Sequence, residues 1–243
     1  MPVPAANAPA PLVQRAGAFI FDFDGTLYDG RGFARRLLFS PLPPVKSGTS
    51  ESAGGPGTQR TWSPADILLA GNERRVRKAF VGCDYKNAET YYGKFFAALE
   101  RRTGKPGVFL RSWYFRQYLG RMTEILRRFY EPRPGTAELF RSLEHRRIPR
   151  AVYSDYPSLG ERLAALGLEP GLCGLLLGPE NFGAQKPAPR PFLEIARQLH
   201  RDPGQVLVVG DRDSTDGAGA AAAGMMYLNI TGPAAWEQFC SAV

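Results

Sequence analysis

Histidine is nearly absent from this 243-residue sequence. The two present, His145 and His200, share no metal-ligand spacing with one another or with cysteine, and both read as surface residues at helix ends. Cysteine is scarce as well. Cys83, Cys173 and Cys240 form no CxxC pair, which argues against a structural zinc site or a disulfide framework and makes a reducing cytoplasm the expected location. Long apolar runs are also missing, since none approaches the roughly 20 residues that span a bilayer. The opening MPVPAANAPAPLVQRAG has no basic stretch leading into a continuous apolar one, so it does not read as a signal peptide. It reads as a disordered Pro/Ala tail over residues 1–16. No membrane partner is expected.

Acidic residues are in the minority: 31 Lys and Arg against 23 Asp and Glu leave a net charge of +8. The cations cluster in RRVRK (74–78), ERRTGK (100–105), RR (127–128) and EHRRIPR (144–150). Such runs fit solvated helix faces better than a nucleic-acid surface. A basic nucleic-acid- or protein-binding module stays as an alternative of a different class, recognisable by salt-dependent binding.

What is present is an alternation. Short apolar runs at 18–23, 148–153, 172–177, 206–209 and 225–230 suit strands buried on both faces of a parallel sheet. Helical patterns lie between them at 134–147, 158–168, 190–200 and 216–224. Together they predict an α/β, Rossmann-like three-layer core. The interval after the first strand departs from that rhythm. It holds a short helical piece at 32–39, a Pro/Gly/Ser-rich flexible loop at 40–60, and three helical stretches near 63–80, 84–103 and 108–130. The expected division is a core of 17–30 and 131–243 with a helical module of 31–130 inserted into it.

In open parallel sheets, ligands bind beyond the carboxyl ends of the strands. Behind the predicted strands stand Asp22, Asp24 and Thr26; Ser154 and Asp155; Gly178 and then Lys186; and Asp211, Asp213 and Asp216. Carboxylates crowded in a crevice repel unless a cation offsets them. An oxygen-liganded divalent ion, Mg²⁺ by its habit of working beside phosphates, is the economical answer. Lysine and hydroxyl then suit an anion, which points to phosphoryl transfer or metal-assisted hydrolysis.

The segments DFDGTL (22–27), Ser154 after an apolar run, KPAPRPF (186–192) and VVGDRDSTDGAGAAAAGM (208–225) resemble, in order, the motifs of the haloacid dehalogenase (HAD) superfamily of phosphohydrolases. The likeness is to the phosphatase branch with a C1-type helical cap, which includes phosphoglycolate phosphatases and β-phosphoglucomutases. It implies Asp22 as the nucleophile forming an aspartyl-phosphate and Asp24 as the general acid/base. The proton on Asp24 is either stabilised by its surroundings or received within a coupled step. It further implies Thr26, Ser154, Lys186 and backbone amides near Phe23 and Asp155 as phosphate contacts. Mg²⁺ would be held by Asp22, the main-chain carbonyl of Asp24 and Asp211, with Asp216 in support. Asp213 is expected to be a bystander. Asp155 departs from the Asn or Gly common after the second-motif serine. The true dehalogenases lack an acid at the position of Asp24. The resemblance implies a small phosphorylated metabolite as substrate, hydrolysed by a monomer or homodimer; a phosphomutase is the alternative. Arg111, Trp113, Tyr114 and Arg116 are candidate cap contacts, and residues 29–33 and 130–134 candidate hinges.

Overall fold

The computed structural model describes residues 9–41 and 62–243. Five strands, β1 (Ala18–Asp22), β2 (Arg150–Tyr153), β3 (Leu175–Leu177), β4 (Val206–Gly210) and β5 (Met226–Asn229), form one sheet in the order β3-β2-β1-β4-β5. Every pairing is parallel, with Phe21 beside Val152 on one side and beside Val209 on the other.

The helices before β2 are α1 (Pro9–Arg15), α2 (Phe33–Phe39), α3 (Pro64–Ala79), α4 (Ala88–Thr103), α5 (Gly107–Ser112), α6 (Leu119–Phe129) and α7 (Thr136–His145). After β2 come α8 (Leu159–Ala165), α9 (Pro179–Phe182), α10 (Pro189–Gln198), α11 (Ala218–Ala222) and α12 (Pro233–Ala242). Among the described residues, no helix is long and apolar enough to cross a membrane.

Side chains alternate across a strand, and both faces of this sheet are covered. Phe19, Phe21, Val152, Leu207 and Val209 pack with residues of α7, α8 and α12. Ala18, Ile20, Ala151, Tyr153, Val206 and Val208 pack with α10 and α11. This is the three-layer α/β architecture the apolar runs predict. The edge runs are shorter as strands than as apolar sequence: 170–173 forms a 3₁₀ turn ahead of β3, and α7 begins after Pro134 rather than on it. Residues 9–15, within the segment expected to be a disordered tail, form α1, because Val13 finds a place in the core cluster. From residue 42 to 60, the expected flexible loop lies outside the described residues.

Between β1 and α7 the described chain is helical and has a core of its own. Tyr91, Phe95, Phe96, Trp113, Tyr114 and Tyr118 are buried there. A π-helical turn, Trp113–Tyr118, joins α5 to α6. Polar groups are buried in it too, so the RRVRK run is not a uniformly solvated face. Arg77 bonds Glu73 (2.7 Å) and Tyr114 OH (2.8 Å), and Tyr118 OH donates to Glu73 (2.8 Å).

This helical segment touches the sheet module along a seam. Gly82 N donates to Lys186 O (3.0 Å), Gln185 N to Cys83 O (3.0 Å) and Tyr85 N to Gly183 O (2.9 Å). Asp84 is gripped by Arg190 (Nη2 to Oδ1, 2.8 Å) and by Lys86 (3.0 Å). The Arg190 hydrogen bonds hold the Asp84 carboxyl well below the usual carboxylate range. A depressed folded-state value contributes stability above the unfolded value, about 3.9 for Asp, and that contribution fades as pH falls through the folded one. The stability gap between wild type and Asp84→Asn is therefore expected to be full at pH 7 and to narrow below about pH 4, as measured by urea unfolding at both ends of that range.

Candidate active site

β1 lies where the strand order reverses, with β2 on one side and β4 on the other, the position at which a crevice opens in such sheets. Asp22 is its last residue. The chain then leaves β geometry in a turn closed by Leu27 N to Phe23 O (3.2 Å). Gly25 turns with φ +94°, and a Cβ there would sit 2.2 Å from Asp211 Oδ2, so only glycine lets β1 and the β4 loop approach this closely. Arg133 braces the turn from across the fold, donating to Thr26 O (2.8 Å) and Gly25 O (2.9 Å).

Lys186 is the hub. Its buried ammonium bonds Asp22 Oδ1 at 2.6 Å and Asp216 Oδ1 at 2.7 Å. Thr26 donates to the other oxygen of Asp22 (2.8 Å). Oxygens of Asp22, Asp211 and Asp216 lie within 4.8 Å of one another. Burial, followed by the neighbouring acids Asp216, Asp24 and Asp211, pushes Asp22 up against the pull of Lys186. Burial and Asp216 push Asp211 up to about 6. Asp211 Oδ1 is buried with no hydrogen-bond partner among the described residues. An all-oxygen set with an orphaned carboxylate oxygen and surplus negative charge fits a hard divalent cation such as Mg²⁺.

Asp24 stands apart from that cluster. Its Oδ1 takes hydrogen bonds from Tyr28 OH (2.9 Å) and Arg162 Nη2, and its Oδ2 takes one from Ser154 Oγ (3.0 Å). Although burial opposes it, the Arg162 charge and these donors hold Asp24 below the usual carboxylate range. Of the two ways to supply its proton, the surroundings therefore do not provide the first: they stabilise the carboxylate. Ser154, expected on phosphate, has its hydroxyl directed to Asp24 and accepts from Tyr156 N (3.1 Å). The Asp155 carboxylate is turned onto the backbone, where it accepts from Lys186 N (2.9 Å) and so helps place the lysine. Asp213 is exposed and bonded to Asn229, outside the Asp22, Asp211 and Asp216 cluster.

A cavity of about 570 Å³ opens over Asp24 and Asp211. From the helical segment it is lined by Leu37, Arg74, Tyr118 and Met122. The candidate contacts Arg111, Trp113, Tyr114 and Arg116 are not among its lining residues. Trp113 and Tyr114 are instead buried in the helical core, and Arg111 lies over Phe96 (4.6 Å).

Arg162 and Tyr28 are the site residues that motif reading misses. A signal for Arg162 exists: with Leu159, Leu163 and Leu166 it occupies the i, i+3, i+4, i+7 stripe that α8 buries, where an apolar residue is the ordinary occupant.

A model of the haloacid dehalogenase-like hydrolase family matches residues 16–224. The chain is 37% identical over 70 residues to glyceraldehyde 3-phosphate phosphatase of Methanopyrus kandleri, covering 29% of this chain and 30% of that protein. It is 27% identical over 118 residues to phosphoglycolate phosphatase of Aquifex aeolicus, covering 45% of this chain and 55% of that protein. The chain thus spans about half or less of the curated relatives it matches. Among solved structures, 2-haloacid dehalogenase from Pseudomonas syringae pv. tomato aligns with TM-score 0.53 and 18% identity, over 93% of this chain and 98% of that one. HAD phosphatase from Thermococcus onnurineus aligns with TM-score 0.50 and 17% identity, over 88% and 85%. A dehalogenase and a phosphatase align about equally well, so these likenesses speak for the fold alone.

Replacing Lys186 by Met leaves two buried carboxylates facing each other without their cation. A loss of about 3–5 kcal/mol of unfolding free energy is expected, the usual result of removing one partner from a buried ion pair. Chemical denaturation with and without Mg²⁺ checks it, and added Mg²⁺ is expected to restore part of the loss.

Proposed function

The chain belongs to the haloacid dehalogenase-like hydrolase family, and we propose that it hydrolyses a small phosphomonoester through a phosphorylated Asp22. The observation that carries this reading is the placement of Asp22, with one oxygen on Lys186 and within 4.8 Å of the Asp211 and Asp216 carboxylate oxygens. In the first half-reaction an oxygen of Asp22 attacks phosphorus. The bond from phosphorus to the leaving oxygen breaks, its electron pair goes to that oxygen, and Asp24 passes a proton to it. Because Asp24 rests as a carboxylate, that proton arrives in a coupled step, from a singly protonated phosphoryl group. In the second half-reaction a water gives a proton to Asp24 while its oxygen attacks phosphorus, the bond from phosphorus to Asp22 breaks with its electron pair returning to that carboxylate, and Asp24 then passes the proton to the departing phosphate and is a carboxylate again. Lys186 faces the phosphoryl charge throughout and holds the nucleophile's carboxylate in place.

Asp22, Asp211 and Asp216, with the main-chain carbonyl of Asp24, would hold Mg²⁺. When bound, the ion supplies positive charge against the carboxylates and the phosphoryl oxygens. Asp24 supports phosphoester chemistry over dehalogenation, since it offers a proton carrier beside the nucleophile. The names of the two curated relatives support hydrolysis over isomerisation, and the 570 Å³ cavity suits a metabolite-sized substrate roofed by the helical insertion.

Purified protein is expected to release phosphate from a panel of phosphomonoesters, to stop in EDTA and to resume with Mg²⁺. Asp22→Asn is expected to fall to background; phosphate release that survives this substitution overturns the proposal.

A further inference from the structure

Arg162 is 0% exposed, yet it sits at the most chemically active corner of the molecule. It comes from α8, behind the site. Its Nη2 meets Asp24 Oδ1, and its Nη1 donates to Ser154 Oγ (3.1 Å) and Tyr156 O (3.4 Å). The guanidinium carbon lies over Phe23, 4.5 Å from the ring centroid, with the Tyr156 ring at 5.6 Å. Its Nε is buried with no partner among the described residues. A fold seeking only stability would fill this stripe with leucine, as it does at the neighbouring positions. An unsatisfied buried donor is a cost, and it is tolerated here by a side chain whose other nitrogens fork between the acid and the serine.

Asp24 itself lines the cavity, with 30% of its side chain exposed, while Arg162 lies wholly behind it. The guanidinium therefore cannot reach a substrate without displacing Asp24. Tyr28, 1% exposed, supplies a second fixed donor to the same carboxylate oxygen.

We infer that Arg162 is a positioning residue for the reaction: with Tyr28 and Ser154 it forms a rigid three-donor cradle that fixes the Asp24 carboxylate at the cavity wall for proton transfer to the leaving oxygen. A planar fork does this better than an ammonium, because two nitrogens hold two different acceptors at a set angle. The inference rests on the proposed phosphomonoester hydrolysis.

Two substrates separate positioning from bulk structure. p-Nitrophenyl phosphate departs as a stable phenolate and asks little of a proton donor. The alkyl phosphate that wild type turns over fastest departs as an alkoxide and asks much. In Arg162→Gln, kcat/KM for the alkyl phosphate is expected to fall about 100-fold, the low end of general acid–base contributions. For p-nitrophenyl phosphate it is expected to fall less than about tenfold, with KM nearly unchanged for both. Arg162→Lys is expected to recover part of the loss. In an Asp24→Asn background, Arg162→Gln is expected to cost little more, since both act on one group. Equal losses for the two leaving groups, a raised KM at unchanged kcat, or full additivity with Asp24→Asn each overturns the inference. If Arg162→Gln fails to fold, Tyr28→Phe removes a single oxygen from the cradle and is expected to show the same leaving-group bias at smaller size; its absence overturns the inference equally. Phosphate release that ignores Asp22→Asn removes the underlying reading and the inference with it, whereas an Asp22-dependent enzyme indifferent to Arg162 fails the inference alone.

Discussion

One ammonium holds this site together. Lys186 is buried between Asp22 and Asp216, and without it the carboxylates gathered at the sheet edge would repel within a region that water barely screens. The rest of the arrangement serves to deliver that group. The Asp155 carboxylate fixes the Lys186 amide, and Gly82 of the helical insertion fixes its carbonyl. The lysine is thus held at side chain, amide and carbonyl, by the sheet module and by the helices that roof it. Arg77 extends the same tie, donating to Asp155 O (2.8 Å) and stacking over Tyr156 at 4.0 Å. The buried carboxylate cluster and the seating of the insertion are therefore linked through a few shared atoms.

The two acids of FDFDG occupy different electrostatic surroundings although one residue separates them. Asp22 looks toward a lysine, a threonine and other acids; Asp24 looks toward an arginine, a tyrosine and a serine. Separating a pair of carboxylates by environment is how one site supports a nucleophile and a proton carrier together. Here the separation comes from a turn at Gly25 that sends the second side chain to the β2 side of the crevice and leaves the first beside β4.

Much of this was legible in the residues alone. The five apolar runs and their spacing lead to the parallel sheet, since strands buried on both faces cannot alternate polar and apolar residues. Asp22, Thr26, Lys186, Asp211 and Asp216 converge because strand ends converge. Ser154 and Asp155 were harder: their place at the end of β2 is readable, but the direction of each side chain depends on Arg162 and on the Lys186 amide, which are distant in sequence. Trp113 and Tyr114 are candidate cavity contacts by residue type, yet they pack against other helices, as aromatic residues at helical spacing ordinarily do. Arg162 is hard to read from sequence: its place on the Leu159, Leu163 and Leu166 stripe is the one signal, and a lone arginine in an amphipathic helix is ordinarily solvated. The tail differs in the opposite sense, since a Pro/Ala composition low in order-promoting residues still lets Val13 anchor the seven-residue helix α1.

Asp22 sits at the end of the central strand of the sheet, beneath helices on both faces. Its position is therefore set by packing on every side of β1. The insertion is packed around separate aromatic residues of its own. Because Gly82 ties this unit to the Lys186 carbonyl, a shift of the helices is passed to the same lysine whose ammonium holds Asp22.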